Sequence, residues 1–325
     1  MPVQIPKPWG QEIWYTGMEA RGESQVLIRT SGGSTAVPLS AYLAHNPGLL
    51  ANHAPVLLLK VLDPKPADVV GDLYFEVHEE KQEVYVVSHI DTQAWPGGIG
   101  GIRFGMNQAK RQTYADGHAF RAAYLAAVQR YEQIRRQLDE QDASTANPAK
   151  DAAAAAAELT AREAMNDFAS LRELRVGDVV KVPTWTPHSL LHGVRVVEFQ
   201  TPTYERYIIS FAQKVLTQDH WDSPHAITHM HIDAPALEKF EDVAPGIERI
   251  ASFSDFNVWR IDLEASGELQ LPAHIPYAVC MCLTAPVTAG ALTLEAEHAC
   301  FVPHAALEKI ALRGSGKVLI AAPGL

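Results

Sequence analysis

The chain has 325 residues, 47% of them hydrophobic, and carries 27 Lys and Arg against 38 Asp and Glu, a formal net charge of -11. That acidity repels a phosphate backbone and no local basic patch offsets it, which excludes nucleic acid as a partner. No run reaches the roughly 18 consecutive apolar residues of a membrane-spanning helix, and the start "MPVQIPKPWG" lacks a basic head followed by an apolar core. The expectation is a soluble, cytoplasmic protein, no membrane partner, and a length that fits two domains.

From Val56 to Val87, β-branched and aromatic residues punctuated by Pro and Gly ("PVLLLKVLDPKP") predict strands and turns. The Gly-rich "PGGIGGIRFG" closes this unit. Tyr124, Val128, Tyr131, Ile134 and Leu138 then recur at steps of four and three, the period of an amphipathic helix. "DASTANPAKD" breaks it, and a second helix starts with Asp151 as N-cap and a run of alanines, burying Leu159, Met165, Phe168 and Leu171. Two packed helices spanning roughly Gly117 to Leu174 are therefore predicted inside a β protein. Strands resume at "RVGDVVKVP", continue through "GVRVVEFQTPTYERYIISF", and after a polar, His-rich connection from Thr217 to Gly246 return as short segments to the C-terminus. Without βαβ alternation, a mainly β fold of barrels or sandwiches follows. The three cysteines, Cys280, Cys282 and Cys300, read as reduced strand residues, with Met281 facing away from its two neighbours.

Two segments carry chemistry. In "GDLYFEVHEEKQEVYVV", Glu76 and His78 are two apart in a strand and point to one face, and Glu83 returns from beyond the bend at "EEKQ". A solvated charged hairpin has the same composition. A hundred residues later, "GDVVKVPTWTPHSLLHG" sets Gly177, Pro183 and His188 in a strand, turn, strand arrangement that supplies another imidazole.

Together these segments resemble the paired motifs of the cupins. Gly71, Glu76 in place of the first His, His78 and Glu83 match the first; Gly177, Pro183, Trp185 in place of Gly, and His188 match the second. More closely, the chain resembles the type I mannose-6-phosphate isomerases through "KPWG" (Lys7 to Gly10), "LLKVLD" (Leu58 to Asp63), "EVHEEK" (Glu76 to Lys81), "KQE" (Lys81 to Glu83), "PTWTPH" (Pro183 to His188) and "EFQTPTYER" (Glu198 to Arg206). The last strands, "HACFVPHAALEKIALRGSGKVLIAAP", also look like that family's. The resemblance implies two jelly-roll barrels with a helical insertion: a discontinuous metal-binding cupin domain over 1–103 and 174–222, the insertion over 104–173, and a degenerate cupin domain over 223–325.

It further implies one divalent metal, zinc first and manganese or iron next, held by Glu76, His78, Glu83 and His188. Arg206 and Glu198 take the catalytic positions, and Lys81, Tyr74 and Trp9 the substrate-binding ones. The reaction implied is aldose–ketose isomerisation of a sugar or sugar phosphate. A cupin enzyme of another class, dioxygenase-like, and a non-catalytic sugar-binding cupin are the alternatives. Glu198 beside Arg195 also reads as a plain salt bridge. His192 reads as a support for the ligands rather than a ligand, and His220, His225, His229 and His231 as surface residues. Departures from the family are Glu76 for Gln, Tyr74 for Ser, Glu79 for Pro, and a missing segment that leaves Lys81 serving two motifs.

Overall fold

The computed structural model describes every residue except 31–32, 52–54, 141–147, 216–218, 285 and 325, with backbone alone at 29–30 and 148–151. Strands dominate, and every pairing among the described residues of the four large sheets is antiparallel. The N-terminal barrel is made by a six-stranded sheet, in the order Val3–Lys7, Gly10–Trp14, Leu58–Pro64, Val194–Gln200, Glu83–Ile90, Val179–Val182. Facing it are Ala169–Leu174, Gly100–Met106, His188–Leu190, Phe75–Val77 and Tyr207–Ser210. The C-terminal barrel repeats the plan with six strands (Glu241–Ala244, Ile247–Ser252, Phe256–Asp262, Lys317–Pro323, Tyr277–Thr284, Ala299–Pro303) over four short ones.

Strand alternation decides what each face of the first sheet meets. Leu59, Val61, Val84, Val86, Val197 and Phe199 point out of the barrel and pack against Phe256, Val258, Val279, Met281 and Leu319 of the C-terminal barrel. Each such side chain, fully buried, contributes at most about 1.5–3 kcal/mol, so this apolar seam joins the two halves. The residues between them point inward. Register places Trp14, Lys60, Glu198, Tyr85 and Val180 in one row straight across the sheet. The interior is therefore apolar at one end, around Trp9, Leu62, Tyr85 and Ile102, and charged at the other.

The helices Gly117–Glu140 and Pro148–Asn166 cover the outer face of the second sheet, where Phe120, Tyr124, Val128 and Tyr131 meet Phe75, Val77 and Met106. The predicted spacing of the first helix holds. The second ends eight residues short of the expected Leu174, because Ala169–Leu174 pairs as an edge strand with Gly100–Met106. Leu171, expected in a helical core stripe, is 65% exposed there, and Leu159 is 43% exposed. Main-chain pairing with an existing sheet outweighs the helix preference of "ASLREL". This helix starts at Pro148, which suits a first position because its missing N–H needs no partner. Asp151 consequently lies in the first turn and is not the cap. Much of the predicted break at "DASTANPAKD" lies outside the described residues.

The His-rich connection also differs from expectation. Ser223–His229 is a short helix that buries Ala226 and Ile227, with Met230 beyond it, in the same cluster as Tyr131 and Ile209. This stretch, assigned to the C-terminal domain on sequence, packs on the N-terminal one because its apolar face has a partner there.

Candidate metal centre

Three strands aim four side chains toward one region inside the N-terminal barrel. Glu76 lies in Phe75–Val77 directly opposite His188, the first residue of the next strand. Glu83 opens Glu83–Ile90, and His78 follows its own strand by one residue. Gly71 can have no side chain, since a Cβ would sit 2.1 Å from the Lys65 carbonyl oxygen. Trp185, at the glycine position of the second motif, adopts the left-handed φ of +58°, which costs a non-glycine residue about 1–2 kcal/mol. It is held there by donating its N–H to the His78 carbonyl at 2.6 Å and by stacking on Tyr207 at 5.7 Å. The same contact fixes the backbone of a proposed ligand.

The His78 Nε2 atom lies 3.8 Å from Glu76 Oε1 and 3.4 Å from Glu83 Oε1, and His188 Nε2 lies 3.2 Å from Glu83 Oε2. One ligand atom from each of Glu76, His78 and His188 falls within 4.8 Å of the others. The Nδ1 of His188 is 3.0 Å from the Thr186 carbonyl. A carbonyl only accepts, so Nδ1 carries the proton and a neutral ring turns its Nε2 lone pair to the centre. His78 Nε2, His188 Nε2 and Glu76 Oε2 are all buried without a hydrogen-bond partner. Buried polar atoms left unpaired cost about 1–3 kcal/mol each. Glu76, His78 and His188 converge within the span of one ion and Glu83 stands against both imidazoles, so a shared divalent cation would satisfy all three orphaned atoms and the residues fit a metal.

Around these four runs a layer of opposite charge. Lys81 Nζ is 2.9 Å from Glu83 Oε1, and Tyr85 donates its hydroxyl to Glu83 Oε2 at 2.6 Å. Burial works to raise the Glu83 carboxyl, but the Lys81 ammonium and the two imidazoles outweigh it and hold Glu83 well below the usual carboxylate range. Burial, and then Lys81, lower His78. Arg206 stacks over the Tyr74 ring at 4.6 Å with Nη1 3.9 Å from Glu76 Oε2. Glu198 is fully buried beside Lys60, at 3.1 Å, and burial followed by the charge of Glu83 pushes its carboxyl well above the usual range. Burial alone lowers Lys60, yet Glu198, Glu12 and Glu83 together raise it, so its ammonium stays charged.

The residues expected at the site divide accordingly. Glu76, His78, Glu83 and His188 come together, with Lys81, Glu198, Arg206 and Tyr74 around them. Trp9 does not reach the centre: at 1% exposure it packs among Leu62, Tyr85 and Ile102, filling the apolar end of the barrel. The salt bridge considered for Glu198 is made by Lys60, whereas Arg195 pairs with Asp63 and Glu297. His192 bonds Asp72 through both its ring and its backbone N–H, and Arg103 completes that cluster, so it supports the Gly71 turn rather than the four candidate ligands.

Three contributors escaped sequence reasoning. Lys60 and Glu12 are lone charges on inward positions of otherwise apolar strands, a signal visible in "LLLKVLD". Glu205 accepts the backbone N–H groups of Glu79, Glu80 and Lys81 at 2.9, 3.1 and 3.4 Å and so shapes the loop between His78 and Glu83. No local pattern announced that contact across more than a hundred residues.

No family model and no curated protein matches this sequence. Solved structures do. Mannose 6-phosphate isomerase from Bacillus subtilis is similar over 99% of this chain and 98% of its own, at 15% identity and a TM-score of 0.65. A zinc-bound mannose 6-phosphate isomerase aligns over 97% and 91% at 14% identity and 0.67. A mutant of phosphomannose isomerase from Salmonella typhimurium aligns over 99% and 93% at 14% identity and 0.68. With coverage this complete, the chain has the two-barrel fold of the mannose-6-phosphate isomerases.

Proposed function

We propose that this protein is a metal-dependent aldose–ketose isomerase acting on a sugar or sugar phosphate, with mannose 6-phosphate and fructose 6-phosphate as the reference pair. The observation that carries the reading is the meeting of Glu76, His78, Glu83 and His188 around orphaned, buried ligand atoms, flanked by Arg206, Lys81 and a proton-retaining Glu198.

Moving a carbonyl between adjacent carbons requires a group that takes a proton from one carbon and returns it to the other while negative charge builds on the oxygens. A divalent cation, when bound by the four ligands, supplies Lewis acidity toward those oxygens. Arg206, a planar, permanently charged donor at the partly exposed side of the centre, orients a sugar oxygen and stabilises its developing charge. Glu198 retains a proton at pH values where an ordinary carboxylic acid has lost it, which equips it to give and take one. Lys81 offsets the charge of Glu83 and presents its remaining N–H bonds to substrate. Tyr74 supports the guanidinium of Arg206 from below.

Two carboxylates balance the charge of a divalent ion, which weakens its Lewis acidity compared with a three-histidine zinc site and favours harder metals alongside zinc. The decisive experiment is a coupled assay interconverting the two sugar phosphates, with and without chelator and with zinc, manganese or iron(II) restored. Chelator-sensitive turnover is expected; its absence with every metal restored removes the isomerase reading. His78, His188 and Glu83 also form a two-histidine, one-carboxylate set of the kind iron(II) oxygenases use. Oxygen uptake on adding substrate to the iron-loaded protein selects that second reading.

A further inference from the structure

Among the described residues, one pair of nucleophilic side chains lies outside the chemistry above. Cys280 in Tyr277–Thr284 and Cys300 in Ala299–Pro303 are direct partners in an antiparallel ladder. Cys282, two residues along, donates its N–H to the His298 carbonyl at 2.9 Å. Hydrogen-bonded and non-hydrogen-bonded pairs alternate, so Cys280 and Cys300 form a pair of the same kind, with an ordinary Cα separation of about 5.5 Å. Disulfides span about 4.4–6.8 Å between Cα atoms, so the register alone brings the two cysteines within bonding range.

Opposed Cβ atoms normally stand about 4.5–5.5 Å apart, and a disulfide draws them to about 3.5–4.5 Å. Ala299–Pro303 can move that far because it is the last strand of its sheet, held on one side only. The two cysteines also differ in access. Cys280 is fully buried, whereas Cys300 is half-buried and lines a cavity of about 690 Å³ between the N-terminal strands and this sheet.

We propose that Cys280 and Cys300 are a thiol pair that a peroxide oxidises reversibly to a disulfide. The Cys300 thiolate attacks one peroxide oxygen, the O–O bond breaks, and the departing hydroxide takes a proton to become water, leaving Cys300 as a sulfenic acid. The Cys280 thiol then gives up its proton and its sulfur attacks the Cys300 sulfur. The S–O bond breaks, a second water leaves, and two thiols have lost two electrons to the peroxide. Position sets this order: Cys300 is half-buried on the edge strand while Cys280 is fully buried, and the proximity of the two thiols, with burial, pushes Cys280 up and lowers Cys300, so Cys300 is the nucleophile. Closure pulls the strands together at a site where they prefer to stand apart, which makes the bond readily reducible.

The test exposes the folded full-length protein to a small excess of hydrogen peroxide, then denatures it in maleimide and determines mass and peptide map. The reduced protein takes up three maleimides, one per cysteine. After peroxide it is expected to take up one, at Cys282, with Cys280 linked to Cys300 and full uptake restored by dithiothreitol. Cys280→Ser should arrest Cys300 at the sulfenic or sulfinic acid, and Cys300→Ser should slow oxidation of Cys280 by about tenfold or more. Undiminished uptake, over-oxidation of Cys300 in the unaltered protein, or a crosslink through Cys282 overturns the proposal. The mapping of the unaltered protein decides the matter even if a serine variant fails to fold.

Discussion

Between the sheets of the N-terminal barrel lie Glu12, Lys60, His78, Glu83, His188 and Glu198; at the corresponding place in the C-terminal barrel lie Ala278, Cys280, Val302, Leu312 and Ile320. The architecture is shared, so the polar interior is not a requirement of the fold. A barrel that fills itself with aliphatic side chains gains transfer free energy from each, while one that buries charges must repay their desolvation through geometry. The N-terminal half keeps an arrangement that is costly without a ligand, and the expense is confined to inward positions: the outward residues of the same strands are as apolar as any in the molecule. The candidate site is thus confined to one face of one sheet pair.

The contrast can be broken most severely at Glu83, which touches both imidazoles, Lys81 and Tyr85. Glu83→Gln is expected to lower turnover by about a thousandfold, equivalent to ~4 kcal/mol of barrier, and to lower metal content measured by mass spectrometry. In the other barrel Leu312→Ala should cost about 2–5 kcal/mol of stability in a denaturant titration and leave metal content unchanged. Retained stability there means that the C-terminal interior is not the tightly packed core described.

Converting one interior toward the other sharpens the comparison. Lys60→Met combined with Glu198→Leu replaces a buried polar pair, in direct contact, with apolar volume, and the metal-free protein should become about 1–2 kcal/mol more stable while turnover falls. A marked loss of stability in the double variant would show that the pair holds the barrel together. The smallest effect concerns a polar cluster that is fully satisfied. Burial works to raise the Asp72 carboxyl, but hydrogen bonds from His192 and the charge of Arg103 outweigh it and hold it below its ordinary value of 3.8. Asp72 therefore contributes stability that is complete above that value and is lost as pH falls through its lower, folded-state value. Asp72→Asn should flatten the acid limb of stability against pH; an unchanged slope counts against the cluster.

Much of the site could be read in the sequence because its logic is local. Glu76 and His78 share a face by strand alternation, and the Gly177, Pro183, His188 spacing fixes a strand, turn, strand unit. The first helix was equally legible: of the periodic residues Tyr124, Val128, Tyr131, Ile134 and Leu138, the first three are buried and the last two half-buried. Ala169–Leu174 was not: its sequence suits a helix, and only an open sheet edge made it a strand. Trp9 misled for a related reason, since an aromatic beside a conspicuous "PWG" looks the same whether it meets a sugar or plugs a barrel.

By itself, the sequence determined the mainly β composition and the helical insertion, because periodicity is a property of neighbouring residues, while the set of four candidate ligands followed from the resemblance of its motifs to a known family. Only the tertiary structure decided that Lys60 answers Glu198, that Glu205 shapes the loop before Glu83, and that Cys280 faces Cys300. Those relations join residues from 20 to more than a hundred positions apart. Charge pairing and thiol chemistry act over a few ångströms of space, and chain distance carries no record of which strands become neighbours.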